Sequence, residues 1–208
     1  LYVYDELGRL IEAKYFDESG AAPGPEQHQQ YDYSDDGLEV TVSSFDADTG
    51  RLKSAIRYGA GENGTLLEQE NNDDVVLTQT GVFEGVNPVT EEPYRYEYDD
   101  EGRLIEAQYF DASGIELHQR YTFAQDGLSV TLMTLDAGSG GFISTITYEA
   151  GKNGKLLEQE DNDDEVAFQH GRFAGKSLSG RPYLYVYDEL GRLIEAKYFD
   201  ESGAAPGP

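Results

Sequence analysis

The sequence has no cysteine, which excludes disulfides and thiol catalysis. It has no tryptophan and a single methionine. Basic residues are few: 15 Lys and Arg against 41 Asp and Glu, a formal net charge of −26. A surface this acidic repels nucleic acid and anionic lipid, so neither is expected as a main partner. No apolar run approaches the roughly 18 residues that a membrane helix needs, so membrane insertion is not expected. No basic, apolar, small-residue leader opens the chain, which starts in mid-pattern and reads as a fragment. Leu, Ile, Val and Phe make up about a fifth of the residues, close to the level at which highly charged chains stay disordered. What is present instead is tyrosine, 16 in 208 residues. Tyrosine favours strands and buries large area, so an ordered β-rich chain with a thin core is expected.

Self-comparison organises the rest. Leu1 to Pro25 and Leu184 to Pro208 are identical, and Tyr96 to Gly114 is a third version of the same block. Between these blocks, His28, Tyr31, Gly37, Thr41, Asp46, Gly50, Ile56 and Tyr58 recur as His118, Tyr121, Gly127, Thr131, Asp136, Gly140, Ile146 and Tyr148. The repeat is about 90 residues long. Residues 1–93 form repeat 1, 94–182 form repeat 2, and 183–208 form the first quarter of a third. The identical ends fit a higher-order repeat cut from a longer array, or an engineered duplication.

Within a repeat the period is two. Tyr2 and Tyr4, Tyr31 and Tyr33, and Tyr96 and Tyr98 each share a face. Ile11, Ala13 and Tyr15 are expected on one face, with Leu10, Glu12, Lys14 and Phe16 on the other. The turn signals are uniform. Asp-x-x-Gly occurs at Asp5–Gly8, Asp17–Gly20, Asp99–Gly102, Asp111–Gly114, Asp188–Gly191 and Asp200–Gly203, with Ser34–Gly37 as a variant. A type I turn favours Asp at its first position, where the carboxylate accepts nearby backbone N–H groups, and Gly at its fourth, where φ goes positive. Asp5, Gly8, Asp99, Gly102, Asp188 and Gly191 are therefore expected to set hairpin turns. Asn63-Gly64 and Asn153-Gly154 predict a second hairpin. About seven strands per repeat follow. The expected fold is all-β: tandem antiparallel hairpins in an elongated, curled meander, or else one small barrel or sandwich per repeat.

The block Tyr2-Val3-Tyr4-Asp5-Glu6-Leu7-Gly8-Arg9-Leu10-Ile11, with Gly20 after it, resembles the YD repeat of the Rhs family. Tyr96 to Leu104 and Tyr185 to Leu193 resemble it equally, and Tyr31 to Leu38 loosely, without the Arg. The motif returns once per repeat of about 90 residues, more widely than in that family. The resemblance implies hairpins that build extended sheets, either in shells around toxins or in large bacterial surface and cell-contact proteins.

Candidate chemistry is sparse. There is no HExxH, P-loop, GxSxG or Rossmann fingerprint. His28 and His118 are repeat equivalents and are expected at exposed or edge-strand positions, as is His170. Gly59, Gly61 and Gly64 lack the Lys-Ser/Thr of a phosphate loop and read as hairpin glycines. Asp46-Ala47-Asp48-Thr49-Gly50 has the alternating acids of a calcium loop, but its equivalent at Asp136 has lost the second acid. Asn71, Asp73 and Asp74, with Asp161, Asp163 and Asp164, keep oxygen-bearing side chains in both repeats. They are the weak Ca²⁺ candidates; no other cofactor is expected. The tyrosines could form a carbohydrate platform, although period-two placement points to cross-strand packing.

The reading is a non-enzymatic stalk or fibre segment of a large extracellular bacterial surface protein or adhesin. Its first partners are neighbouring repeats of the same chain. The alternatives are a glycan- or protein-binding module and a piece of a toxin-enclosing shell.

Overall fold

The computed structural model describes residues 1–16, 28–46, 48–67, 72–87, 91–111, 114–157, 162–177 and 180–199. Repeat 1 contributes β1 (Tyr2–Tyr4), β2 (Leu10–Lys14), β3 (His28–Tyr33), β4 (Glu39–Phe45), β5 (Leu52–Gly59) and β6 (Val75–Val86). Repeat 2 contributes β7 (Pro93–Tyr98), β8 (Leu104–Asp111), β9 (Gly114–Phe123), β10 (Ser129–Leu135), β11 (Phe142–Glu149) and β12 (Glu165–Lys176). The last two strands are β13 (Pro182–Tyr187) and β14 (Leu193–Tyr198). The strands form one open antiparallel sheet whose order follows the chain from β1 to β14. The fold is thus an all-β hairpin meander, without a helix among the described residues. A separate closed barrel or sandwich per repeat is not what forms.

Six strands per repeat appear among the described residues, against the expected seven. The difference lies between β5 and β6. Gly64 N–H does close a turn on Gly61 O at 3.1 Å. The described residues after it, 65–67 and 72–74, are not strand, and pairing is seen again from Val75. An Asn-Gly pair makes a tight turn, but a hairpin also needs two flanking strands in register.

The chain divides into two compact units whose limits differ from the sequence repeats. One comprises Leu1–Gly85 with Arg95–Leu104, the other Val86–Tyr94 with Ile105–Pro208.

In the first unit the core is thin. Ala13 and Val40 are fully buried and Ser54 nearly so. Val40 lies on β4 opposite Tyr33 of β3 and Tyr58 of β5. A β-branched side chain between two aromatic cross-strand neighbours is a favourable pairing in a sheet. Val3 and Tyr4 bracket a bulge, because Val3 faces Glu12 while Tyr4 faces Leu10. That bulge revises the expected faces. Leu10 joins Tyr2, Tyr4 and Tyr15 on the aromatic side, and Ile11 lines the opposite side with Val3 and Glu12. An extra residue in one strand flips the alternation beyond it.

The second unit repeats the pattern. Ala107 and Val130 are fully buried, with Leu135 and Ser144 close behind. Val130 lies opposite Phe123 of β9 and Tyr148 of β11. The bulge of β1–β2 recurs in β13–β14, where Val186 faces Glu195 and Tyr187 faces Leu193.

Candidate functional site

The hairpin turns carry the most regular side-chain geometry in the molecule. Asp5 Oδ1 accepts Leu7 N–H at 2.9 Å and Arg9 N–H at 2.8 Å. Its Oδ2 accepts Arg9 Nε–H at 2.7 Å. Asp99 does the same with Glu101 N–H at 3.0 Å, Arg103 N–H at 2.9 Å and Arg103 Nε–H at 2.8 Å. Asp188 takes Leu190 N–H at 3.0 Å, Arg192 N–H at 2.9 Å and Arg192 Nε–H at 2.7 Å. Gly8, Gly102 and Gly191 have φ of 79°, 79° and 74°. Positive φ is a region that L side chains resist, which is why glycine ends each turn.

The arginine of the motif therefore has a structural role: it occupies the second carboxylate oxygen. The Arg9 backbone hydrogen bond and then its guanidinium hold the Asp5 carboxyl below the usual range. For Asp188 the Arg192 side chain leads, followed by its backbone N–H. For Asp99, burial opposes ionisation, and the hydrogen bonds from Arg103 and Glu101 outweigh it. Arg9 also stands over the Tyr33 ring, 4.5 Å from its centroid. Both oxygens of each of these aspartates are thus engaged in holding its own turn.

Of the calcium candidates, Asn71 and Asp161 lie outside the described residues, as do the Asp17–Gly20 and Asp200–Gly203 turns. The others staple the β5–β6 and β11–β12 loops. Asp73 Oδ2 accepts Asn63 N–H at 3.0 Å, and Asp163 Oδ2 accepts Asn153 N–H at 3.2 Å. Asp74 Oδ2 accepts Leu67 N–H, and Asp164 Oδ2 accepts Leu157 N–H, both at 2.8 Å. The two leucines sit at φ 56° and 57°, a costly conformation for a bulky side chain, held alike in both repeats. Asp74 Oδ1 and Asp164 Oδ1 are buried without a hydrogen-bond partner among the described residues. Burial first, and then the nearby Asp74 charge, raise the Tyr58 phenol; Tyr148 follows suit with Asp164. Among the described residues, no three His, Cys, Asp or Glu side chains converge as a metal would require. At the other loop, Asp46 Oδ1 accepts both Thr49 N–H at 2.8 Å and Thr49 Oγ1–H at 2.5 Å, a turn of local hydrogen bonds.

The histidines differ from expectation. β3 and β9 are interior strands, so His28 and His118 are half-buried and not at an edge. His28 Nε2 lies 2.9 Å from Glu12 Oε1, and His118 Nε2 lies 2.5 Å from Glu106 Oε1. His170 stacks on Phe142 with centroids 5.1 Å apart. Lys14 and then His28 hold the Glu12 carboxyl below its ordinary range.

The first compact unit also contains a cleft of about 810 Å³. Tyr2, Tyr4, Tyr15, Tyr31 and Tyr33 line it, and Thr65 to Leu67 of the β5–β6 loop form its far wall. Tyr2 and Tyr15 meet edge to face at 5.7 Å. The Tyr31 phenol donates to Gln29 Oε1 at 3.0 Å. Period two places these rings on a common face, but the loop that walls the cleft is long-range and has no local signature.

The chain matches no protein-family model and no curated protein sequence.

Proposed function

We propose that this chain is a non-enzymatic structural segment, a stalk or fibre, of a large extracellular bacterial surface protein of the Rhs-like kind its YD motifs resemble. The supporting observation is the junction at which one repeat hands over to the next. β12, the last strand of repeat 2, pairs with β13, the first of the third repeat, from Gly171↔Tyr187 to Lys176↔Pro182. Phe173 meets Tyr187 edge to face at 5.6 Å and 83°. The repeat 1 junction has the same contact, Phe83 with Tyr98, at 5.7 Å and 83°. The repeat 2 junction is thus a strand ladder with an aromatic contact, instead of a loose linker. Units that contact only their neighbours gain length by addition. The net charge of −26 opposes collapse and self-adhesion along such an array.

Solution scattering on the 208-residue chain tests this. A compact chain of this length has a radius of gyration of about 17 Å. The stalk reading requires a clearly larger value that grows when further repeats are added. A value near that of a compact particle would overturn it. The tyrosine cleft favours one second reading, a repeat that also presents aromatic rings to a glycan or protein partner. Titration with oligosaccharides while following tyrosine fluorescence tests that reading separately.

A further inference from the structure

Asn63-Gly64-Thr65 is the only Asn-x-Ser/Thr triplet in the sequence. Repeat 2 carries Asn153-Gly154-Lys155 at the equivalent place, so the two turns differ in a hydroxyl. Their backbones agree closely. Gly64 and Gly154 have φ of 72° and 71°, and they donate their N–H groups to Gly61 O and Gly151 O, both at 3.1 Å. Asp73 and Asp163 accept the N–H groups of Asn63 and Asn153. Asn63, Thr65, Asn153 and Lys155 are all exposed.

The difference falls on the side-chain amide. Asn63 Oδ1 accepts Thr65 N–H at 2.7 Å and Thr65 Oγ1–H at 2.6 Å. Asn153 Oδ1 accepts Lys155 N–H at 2.8 Å, and residue 155 has no hydroxyl to add. A carboxamide nitrogen is a weak nucleophile, because its lone pair is delocalised onto the oxygen. In a step that removes a proton from that nitrogen, negative charge gathers on the oxygen. Donors already aimed at the oxygen stabilise that charge without having to reorganise. The Thr65 hydroxyl supplies such a donor to Asn63, and Lys155 cannot supply its like to Asn153.

We infer that Asn63 is an acceptor site for N-linked glycosylation and that Asn153 is not. The co-reactant is a sugar activated at its anomeric carbon by a diphosphate leaving group. Asn63 Nδ2 forms a bond to that carbon, the bond from the carbon to the diphosphate oxygen breaks, and the diphosphate keeps the electron pair. One amide proton passes to a base of the transferase, and nothing is oxidised or reduced. An Asn-x-Ser/Thr triplet in a surface loop is an acceptor of this kind. The exposed turn presents this one without any strand having to open.

The site stands apart from the stalk reading, because its chemistry needs only the folded turn and a transferase. Gly64 and Thr65 line the tyrosine cleft, so the sugar is carried by the residue next to that wall. A neutral sugar adds bulk and hydration there without adding to the charge of −26. Two repeats with the same turn thereby acquire different surfaces.

The folded full chain is incubated with transferases directed to Asn-x-Ser/Thr, in one arm with a nucleotide-linked hexose and in the other with a lipid-diphosphate-linked oligosaccharide. Peptide mass mapping is expected to find the sugar on Asn63 and none on Asn153, and the arm that succeeds identifies the donor. Thr65→Val keeps the side chain's shape and removes the hydroxyl; it should slow modification by roughly 100-fold or more. Thr65→Ser should restore it, and Lys155→Thr should create a second acceptor at Asn153. All three variants should melt with the parent, because both positions are exposed. No sugar on Asn63 in either arm overturns the proposal, as does modification that appears only once the chain is denatured. So does a parent chain modified equally at Asn153, a Thr65→Val chain modified as fast as the parent, or a Lys155→Thr chain that gains nothing.

Discussion

Gly81 is a position where a single added carbon should be strongly destabilising. It lies in mid-strand on β6, opposite Ser54 of β5, with φ 86°. A Cβ built there would lie 2.3 Å from Lys53 O and 2.9 Å from Ser54 Cα. Both are backbone atoms, so no side chain can swing aside and the two strands must part. Gly102 is the control in the same compact unit. Its φ is 79°, but its nearest neighbour to a built Cβ is Gln79 O at 3.5 Å, ordinary contact. Gly102→Ala therefore bears only the left-handed strain, roughly 1–2 kcal/mol. Gly81→Ala adds overpacking of about 1–3 kcal/mol, for a total of roughly 2–5 kcal/mol. With a urea slope of about 1–3 kcal/mol/M, the midpoint should fall by roughly 2 M at the centre of both ranges. Far-ultraviolet circular dichroism or tyrosine fluorescence would follow it. Gly171 is the internal replicate: φ 100°, with Ile143 O at 2.3 Å and Ser144 Cα at 2.7 Å. If Gly81→Ala and Gly171→Ala shift the midpoint no more than Gly102→Ala, the close approach of the strands is not what holds glycine there.

Three further outcomes are expected. The carboxyls of Asp5, Asp46, Asp99, Asp136, Asp188, Glu12 and Glu106 all lie below their ordinary range in the folded chain. Their contribution is present above the unfolded range of about pH 4 and is lost as pH falls through the folded values. The urea midpoint should rise slightly from pH 7 towards pH 5 as repulsion eases, then fall steeply below about pH 4; a midpoint that holds at about pH 3 contradicts this. If the Asp73–Asp74 and Asp163–Asp164 loops take Ca²⁺, millimolar calcium raises the melting temperature beyond sodium at equal ionic strength and chelator reverses it. Equal shifts from both salts assign the effect to charge screening. Deleting residues 183–208 removes the β12–β13 ladder and the Phe173–Tyr187 contact, itself worth about 0.5–1.5 kcal/mol, so melting should drop by at least roughly 2 °C.

Legibility follows the range of the interaction. The Asp5 turn can be read from sequence because its hydrogen bonds span at most four residues. The Arg9 clamp on Asp5 is equally local, and its signal is the arginine that follows the glycine in all three motif copies; the turn rules alone do not assign it a role. The faces of Leu10 and Ile11 depart from the period-two expectation because that period assumes a regular strand, and the bulge opposite Tyr4 breaks it. His28 departs from the exposed or edge position expected of it, since nothing within its own strand says that β2 and β4 flank it. Gly81 and Gly171 each carry a usable signal, an isolated glycine inside a strand-forming run, which marks a bulge or a close backbone approach. The Tyr cleft needs Thr65 to Leu67 beside the tyrosines of β1–β3, and no local pattern encodes that.

The three near-identical hairpins separate local sequence from neighbour effects. Ala13 and Ala107 are fully buried, whereas Ala196, in the same Leu-Ile-Glu-Ala context, is exposed. Each buried alanine lies opposite a glutamine of the following strand, Ala13 on Gln29 and Ala107 on Gln119. The tyrosines behave in the opposite sense. Tyr4 is 58% exposed. Tyr98 and Tyr187 are half-buried, because Phe83 and Phe173 of the preceding strand cover them. A hairpin thus draws alanine burial from the strand after it and tyrosine burial from the strand before it. One substitution made twice should expose this division. Ala107→Asp buries a carboxylate with no matching partner and should cost roughly 3–5 kcal/mol. Ala196→Asp in the isolated chain should stay within about 0.5 kcal/mol of the parent. Urea denaturation of the two variants compares them directly. Equal midpoint shifts would mean that the hairpin sequence, and not its neighbours, sets its stability.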